Sequence, residues 1–152
     1  MLLSSLNIQN IVLFKKVYDV YSEADLQISP VRVHNADRAL ALLRERGRKI
    51  GLVSNTGKAP GVVLRLVLKQ LGLFDYFDDM LFSDEFGFLK PEAIVFDTAV
   101  RRLEAAKEDT LFIGDLKYSD FDGATNAGLN AHLFRQDSED LFELAAHFSD
   151  GY

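Results

Sequence analysis

No cysteine occurs among the 152 residues, which excludes disulfides, thiolate metal sites and cysteine nucleophiles and fits a reducing, cytoplasmic compartment. No apolar run is long enough to span a bilayer, so no membrane partner is expected. Met1 to Leu6 has neither a basic n-region nor a small-residue cleavage site, so no secretory signal is expected. A basic stripe is also missing: the Lys and Arg residues are spread along helix-like stretches and the formal net charge is -6, which argues against nucleic acid as a partner. The acidity itself is read as a solubility feature. His34, His132 and His147 lie far apart and lack metal-ligand spacing, so they are expected on the surface or at strand edges. Repeats and low-complexity tracts are absent, and one domain over residues 1–152 is the economical organisation.

What is present is an alternation of short apolar runs with amphipathic stretches, the pattern of a mostly parallel α/β sheet. Asn35 or Asp37 is placed to cap a helix carrying Leu40 and Leu43 and ending at Gly47. Lys49–Ser54 reads as a buried strand, and a helix then runs from Pro60 to Gly72. Met80–Ser83 reads as a strand and Pro91–Ala105 as a helix with Ile94, Ala99 and Leu103 inward. Thr110–Ile113 is expected to be a strand, Asp120–Ala127 a helix closed by Gly128, and Ala131–Phe134 a strand. Ser138–Ala146 is expected to be a helix capped by Ser138. The aromatic group Phe74, Tyr76, Phe77, Phe82, Phe86 and Phe88 reads as core and loop packing, part of it exposed if a neighbouring element is missing. In the N-terminal segment, Ile8–Phe14 reads as a strand, while Val17–Asp25 fits a strand or a helix.

In an open parallel sheet, ligands bind beyond the carboxyl ends of the strands, so chemistry-bearing residues should follow the apolar runs directly. Ser54 and Asn55 end one run and lead into Thr56-Gly57, where a hydroxyl and free backbone N–H groups can hold phosphate oxygens. Lys90, in Gly-Phe-Leu-Lys-Pro before a helix, can neutralise phosphate as a compact charge. Gly114 and Asp115 end another run and Asp120 follows, giving hard oxygen donors suited to Mg²⁺, although Asp120 could equally cap the next helix. Asp122, in Asp120-Phe-Asp122-Gly, follows Lys117-Tyr118-Ser119 rather than an apolar strand. It reads as a solvated acid in the first turn of a helix.

Together, Lys49–Gly57 (KIGLVSNTG), Ser83–Phe96 (SDEFGFLKPEAIVF) and Leu111–Leu129 (LFIGDLKYSDFDGATNAGL) resemble the second, third and fourth motifs of the haloacid dehalogenase superfamily, over about residues 35–134. That resemblance implies a three-layer, Rossmann-like α/β domain with a mostly parallel central sheet and no complete cap domain. It also implies a phosphatase-type site acting on a small phosphorylated metabolite. Ser54, Lys90 and Asp120 would then be the catalytic candidates, Ser54, Asn55 and Lys90 would bind phosphate, and Asp115 would ligate Mg²⁺ with Asp120 supporting either that ligand or Lys90.

The family's first motif, an apolar strand ending in Asp-x-Asp, has no counterpart before Ser54. Asp19, in Lys-Lys-Val-Tyr-Asp-Val-Tyr, resembles the Asp-x-Tyr variant of true dehalogenases, but Lys15 and Lys16 interrupt the preceding strand. Alternatively, Val17–Leu26 is the end of a cap helix and the chain is a fragment stabilised as a homodimer. In a third reading Ile11–Phe14 is the first strand, with Lys15 at the nucleophile position. By resemblance the first-motif strand occupies the middle of the sheet, so a strand from the N-terminal segment is expected to fill it and spare both neighbours an unpaired edge. A catalytically incomplete phosphatase relative ranks first, ahead of an enzyme using Asp19; a non-catalytic phosphate- or protein-binding relative is the other alternative.

Overall fold

The computed structural model describes residues 32–57 and 59–149. The expected strands at Ile8–Phe14 and Val17–Tyr21, and with them Lys15 and Asp19, lie outside the described residues. Within them the order is α1 (Ala36–Glu45), β1 (Gly51–Ser54), α2 (Gly61–Gln70), β2 (Asp79–Phe82), a single helical turn α3 (Ser83–Phe86) and α4 (Ala93–Arg102). Then come β3 (Leu111–Gly114), a π-helical turn (Lys117–Asp122), α5 (Gly123–Asn126), β4 (Asn130–Leu133) and α6 (Leu141–Ser149). A 3₁₀ turn at Phe74–Tyr76 precedes β2.

The strands form two parallel pairs. In the first, Ser54 lies opposite Phe82; in the second, Gly114 lies opposite Leu133. No strand among the described residues hydrogen-bonds one pair to the other. Every residue of β1 and β3 keeps some solvent access, whereas Leu81 and Phe82 of β2 are buried. Parallel strands ordinarily sit between covered faces; β4 is as accessible as β3, so only β2 is covered in that way among the described strands.

The core follows from apolar residues meeting across α4, α5 and the sheet. Phe96 and Val100 of α4 pack with Ala124, Ala127, Leu129 and Phe112. Phe96 meets Phe112 edge to face, with ring centroids 5.1 Å apart, the geometry that the ring quadrupoles favour. Gly123 permits the approach of α5, because a Cβ there would lie 2.8 Å from Pro91. Ala99 and Leu103 are half-buried, but Ile94, expected inward, is 44% exposed. The stripe that faces the core centres on Phe96 and Val100, and Ile94 lies about 200° around the helix from Phe96.

Two helix caps also differ from expectation. Asp140, not Ser138, caps α6: its carboxylate accepts from the Phe142 and Glu143 amides at 2.9 and 3.1 Å. Asn35 sits at the cap position of α1 in the left-handed region (φ 56°), but its side chain donates to Asp140 at 2.7 Å, joining the starts of α1 and α6. Among the aromatic residues, Phe82 is fully buried, while Phe88 is exposed and stacks on Phe86. His132 pairs with Glu139 at 2.9 Å from within β4, and His34 is largely exposed.

Asp78 ties three pieces together. It accepts from the Ile50 amide at 2.7 Å, ahead of β1, and from Arg44 of α1 at 2.6 Å. The Ile50 amide, then Arg44, hold its carboxyl below the ordinary aspartate value. A carboxyl depressed on folding stabilises the fold above the unfolded value, near pH 4, and loses that contribution as the pH falls through the folded one. The melting temperature of the native chain is therefore expected to fall more steeply between about pH 5 and 3 than that of Asp78→Asn. Parallel curves for the two would remove Asp78 from the acid response.

Candidate functional site

The parallel register explains why the candidate residues meet. β1 ends level with β2, so the residues after Ser54 face those after Phe82. Thr56 accordingly donates its amide to the Ser83 hydroxyl at 2.8 Å. Its own hydroxyl donates to Asp84 at 2.9 Å and accepts from the Asp84 amide at 3.0 Å. That leaves the 2.9 Å contact between the two hydroxyls to be donated by Ser83. Asp84 in turn accepts from the Gly61 amide at 3.1 Å and caps α2 from outside it. The loop 55–57 is thus fastened to the far end of β2.

Lys90 joins the two halves of the molecule. It follows the exposed pair Phe88 and Leu89 and precedes Pro91, to which it is joined by a cis peptide bond. Its ammonium reaches the Val53 carbonyl of β1 at 3.2 Å and the Asp120 carboxylate, beyond β3, at 2.8 Å. It also lies 5.3 Å from the centre of the Phe112 ring. An ammonium has three donors, and these contacts with described residues use two. At the base of the same residue, Asn55 donates to the Lys90 carbonyl at 2.9 Å and accepts from its amide at 2.8 Å.

Asp120 is 3% exposed and fully engaged. One oxygen takes Lys90 and the Ser119 hydroxyl; the other takes the Leu116 amide at 3.1 Å. It does not cap a following helix: it lies inside the π-helical turn and its carboxylate turns back toward the residues after β3. Gly114 makes room for it, since a Cβ there would lie 2.5 Å from Asp120 Cβ. Asp122, expected as a solvated first-turn acid, is only half-exposed and pairs with Lys117 at 2.7 Å.

Asp115, by contrast, is exposed, and no hydrogen bond or ion pair holds its carboxylate among the described residues. The half-buried Ser54 hydroxyl is likewise without a partner among them. Lys90 therefore links β1, at the residue before Ser54, to Asp120 beyond β3, and among the described residues the Ser54 hydroxyl and the Asp115 carboxylate have no partner. Two clefts along β2 are lined by Met80, Glu85 and Arg102, among others, and include none of these four residues. Sequence reasoning missed Ser83, Asp84 and Glu92, the last of which accepts from the Leu89 amide at 3.0 Å and steadies the lysine turn. The strand register gives the signal for Ser83 and Asp84; Glu92 is signalled by its place three residues after Leu89.

Among the described residues no group of three or more His, Cys, Asp or Glu could hold a metal ion. With Asp120 engaged, Asp115 is the carboxylate left to face one. That matches the chemistry of Mg²⁺, which takes one or two carboxylates and completes its shell with water and phosphate oxygens.

Residues 7–128 match the family model described as haloacid dehalogenase-like hydrolase. A glyceraldehyde 3-phosphate phosphatase from Methanothermobacter thermautotrophicus is 35% identical over 101 residues, 65% of this chain and 42% of the relative. A ribulose-1,5-bisphosphate 5-phosphatase from Halopiger xanaduensis is 31% identical over 121 residues, 80% of this chain and 49% of the relative. The chain thus spans less than half the length of these curated relatives. The crystal structure of a HAD phosphatase from Thermococcus onnurineus superposes with a TM-score of 0.72 at 27% identity, covering 90% of this chain and 69% of that one. With the α/β fold, the parallel strands and the match over most of its length, the chain belongs to the haloacid dehalogenase-like hydrolase family.

Proposed function

We propose that this chain holds the phosphoryl group of a small phosphorylated metabolite, with Mg²⁺, in a phosphatase-type site that lacks the usual aspartate nucleophile motif. The observation that carries the reading is the Lys90–Asp120 pair, whose ammonium also reaches the carbonyl of Val53, the residue before Ser54. Ser54 would donate to one phosphoryl oxygen and the spare proton of Lys90 to another. Charge-assisted donors of this kind are about twice as strong as neutral ones, and they are fixed before the anion arrives. Asp120 keeps the lysine head aimed. Asp115 would hold the metal ion, whose contribution when bound is to neutralise phosphoryl charge. The relatives named for glyceraldehyde 3-phosphate and ribulose-1,5-bisphosphate support a small phosphorylated ligand.

A second reading, turnover through Asp19, is favoured by one observation: the family match begins at residue 7 and so includes Asp19. Two measurements decide between them. Calorimetry with orthophosphate and Mg²⁺ is expected to give a dissociation constant of about 1 mM or tighter, some 4 kcal/mol; no heat at millimolar ligand would end the phosphate reading. Hydrolysis of para-nitrophenyl phosphate with Mg²⁺ is expected to be the same in the native chain and in Asp19→Asn. Turnover lost only in the variant would replace the first reading with the second.

A further inference from the structure

We infer that Asn55 is a positioning residue for Lys90, acting through the lysine backbone. The inference rests on the phosphate-binding reading for its consequence, but its geometry stands by itself. The Asn55 amide spends both ends on one residue: its NH₂ donates to the Lys90 carbonyl at 2.9 Å and its oxygen accepts from the Lys90 amide at 2.8 Å. This two-point clamp crosses 35 positions of sequence and ties the loop after β1 to the loop before α4.

The clamp matters because Lys90 is long. A lysine side chain loses rotamer entropy when its head is fixed, and an unrestrained backbone residue loses more when it is ordered. The head of Lys90 is held by Val53 and Asp120; Asn55 holds its base. With both ends fixed, the stem spans a set distance and the third ammonium donor points one way. Asn55 is itself anchored through its neighbour, since the Thr56 amide and hydroxyl are locked to Ser83 and Asp84. The chain of contacts from β2 through Thr56 and Asn55 to Lys90 sets the ammonium relative to Ser54, which directly precedes Asn55.

Aspartate and alanine at position 55 separate this role from ligand binding. Asn55→Asp keeps an acceptor for the Lys90 amide but sets a carboxylate against the Lys90 carbonyl, and it also brings negative charge near the anion. Asn55→Ala removes both bonds and adds no charge. Two readouts apply to each: hydrogen exchange at the Lys90 amide, and calorimetric affinity for orthophosphate with Mg²⁺. In Asn55→Ala, Lys90 exchange is expected to rise at least about tenfold, and phosphate affinity to fall about tenfold, the worth of one to two net hydrogen bonds. In Asn55→Asp, exchange is expected to stay within about threefold of native while affinity still falls, because the carbonyl side of the clamp is gone. Unchanged Lys90 exchange in Asn55→Ala would overturn the clamp. Faster exchange with unchanged phosphate affinity would overturn the positioning role. Should the native chain bind no phosphate, the phosphate reading fails, and the exchange data still decide whether the clamp exists.

Discussion

Lys90→Met is expected to destabilise the fold by about 3–5 kcal/mol, the usual cost of leaving one member of a buried ion pair without its partner. Methionine keeps most of the apolar stem while deleting the charge that lies 5.3 Å from the centre of the Phe112 ring. The loss is therefore electrostatic: Asp120 is 3% exposed and would face the interior with only the Ser119 hydroxyl and the Leu116 amide as donors. Orthophosphate affinity is expected to fall about 10- to 100-fold in the same variant, because a hydrogen bond from a charged donor is worth about 1.5–3 kcal/mol. Stability and binding are separated by the double variant Lys90→Met/Asp120→Leu. Replacing both members of a buried pair with apolar groups is often neutral, so the double variant should regain most of the lost stability and none of the binding. Denaturant melts of the three proteins check the first claim and calorimetry the second. A Lys90→Met protein within about 1 kcal/mol of native, in the range of an exposed pair, would mean that the lysine and Asp120 do not meet in the folded chain.

That pair also shows what could be read before the structure. Ser54, Lys90, Asp115 and Asp120 were singled out because a parallel sheet places residues that follow apolar runs on one rim, and their order along the chain matched a known pattern. Their division of labour was not legible. Asp120 and Asp115 look alike as carboxylates after a strand, yet one is buried and saturated while the other is exposed. The difference arises from the π-helical turn, which carries one more residue per turn than an α-helix and swings Asp120 back toward Leu116. Nothing in the spacing of Lys117–Asp122 signals that turn. The Asn55 clamp and the Thr56 latch were hidden for another reason: both pair loops 27 to 35 positions apart, and only the strand register brings such loops together. Ile94 was misplaced because apolar residues stand on more than one face of α4, and the buried face is the one carrying Val95, Phe96 and Val100. Packing against Pro91, Gly123 and Phe112 chose one.

Gly114→Ala is expected to disable the same corner from the opposite side, by crowding rather than by deletion. The new Cβ would lie 2.5 Å from Asp120 Cβ and 2.6 Å from Asp120 Cγ, where side-chain carbons essentially never come within 3.0 Å. Rotating the Asp120 side chain does not relieve a contact with its own Cβ, so backbone must move. The choices are β3, held to β4 through the Phe134 amide on the Gly114 carbonyl at 2.8 Å, or the π-helical turn, held by the Asp120 amide on Leu116 at 2.9 Å. The turn is the weaker of the two because its residues Lys117 and Tyr118 are exposed. Its displacement carries Asp120 away from Lys90. Overpacking of this kind costs about 1–3 kcal/mol, and the melting temperature should fall by roughly 2–4 °C for each kcal/mol at this chain length. Phosphate affinity should fall with it, by about tenfold or more, although no ligand-facing atom has been removed. In an Asp120→Gly background the clash has no target, so Gly114→Ala should then cost less than about 0.5 kcal/mol, a coupling that only neighbouring residues show. Equal costs in the two backgrounds would place Asp120 away from the end of β3, and with it the carboxylate that keeps Lys90 aimed at the anion.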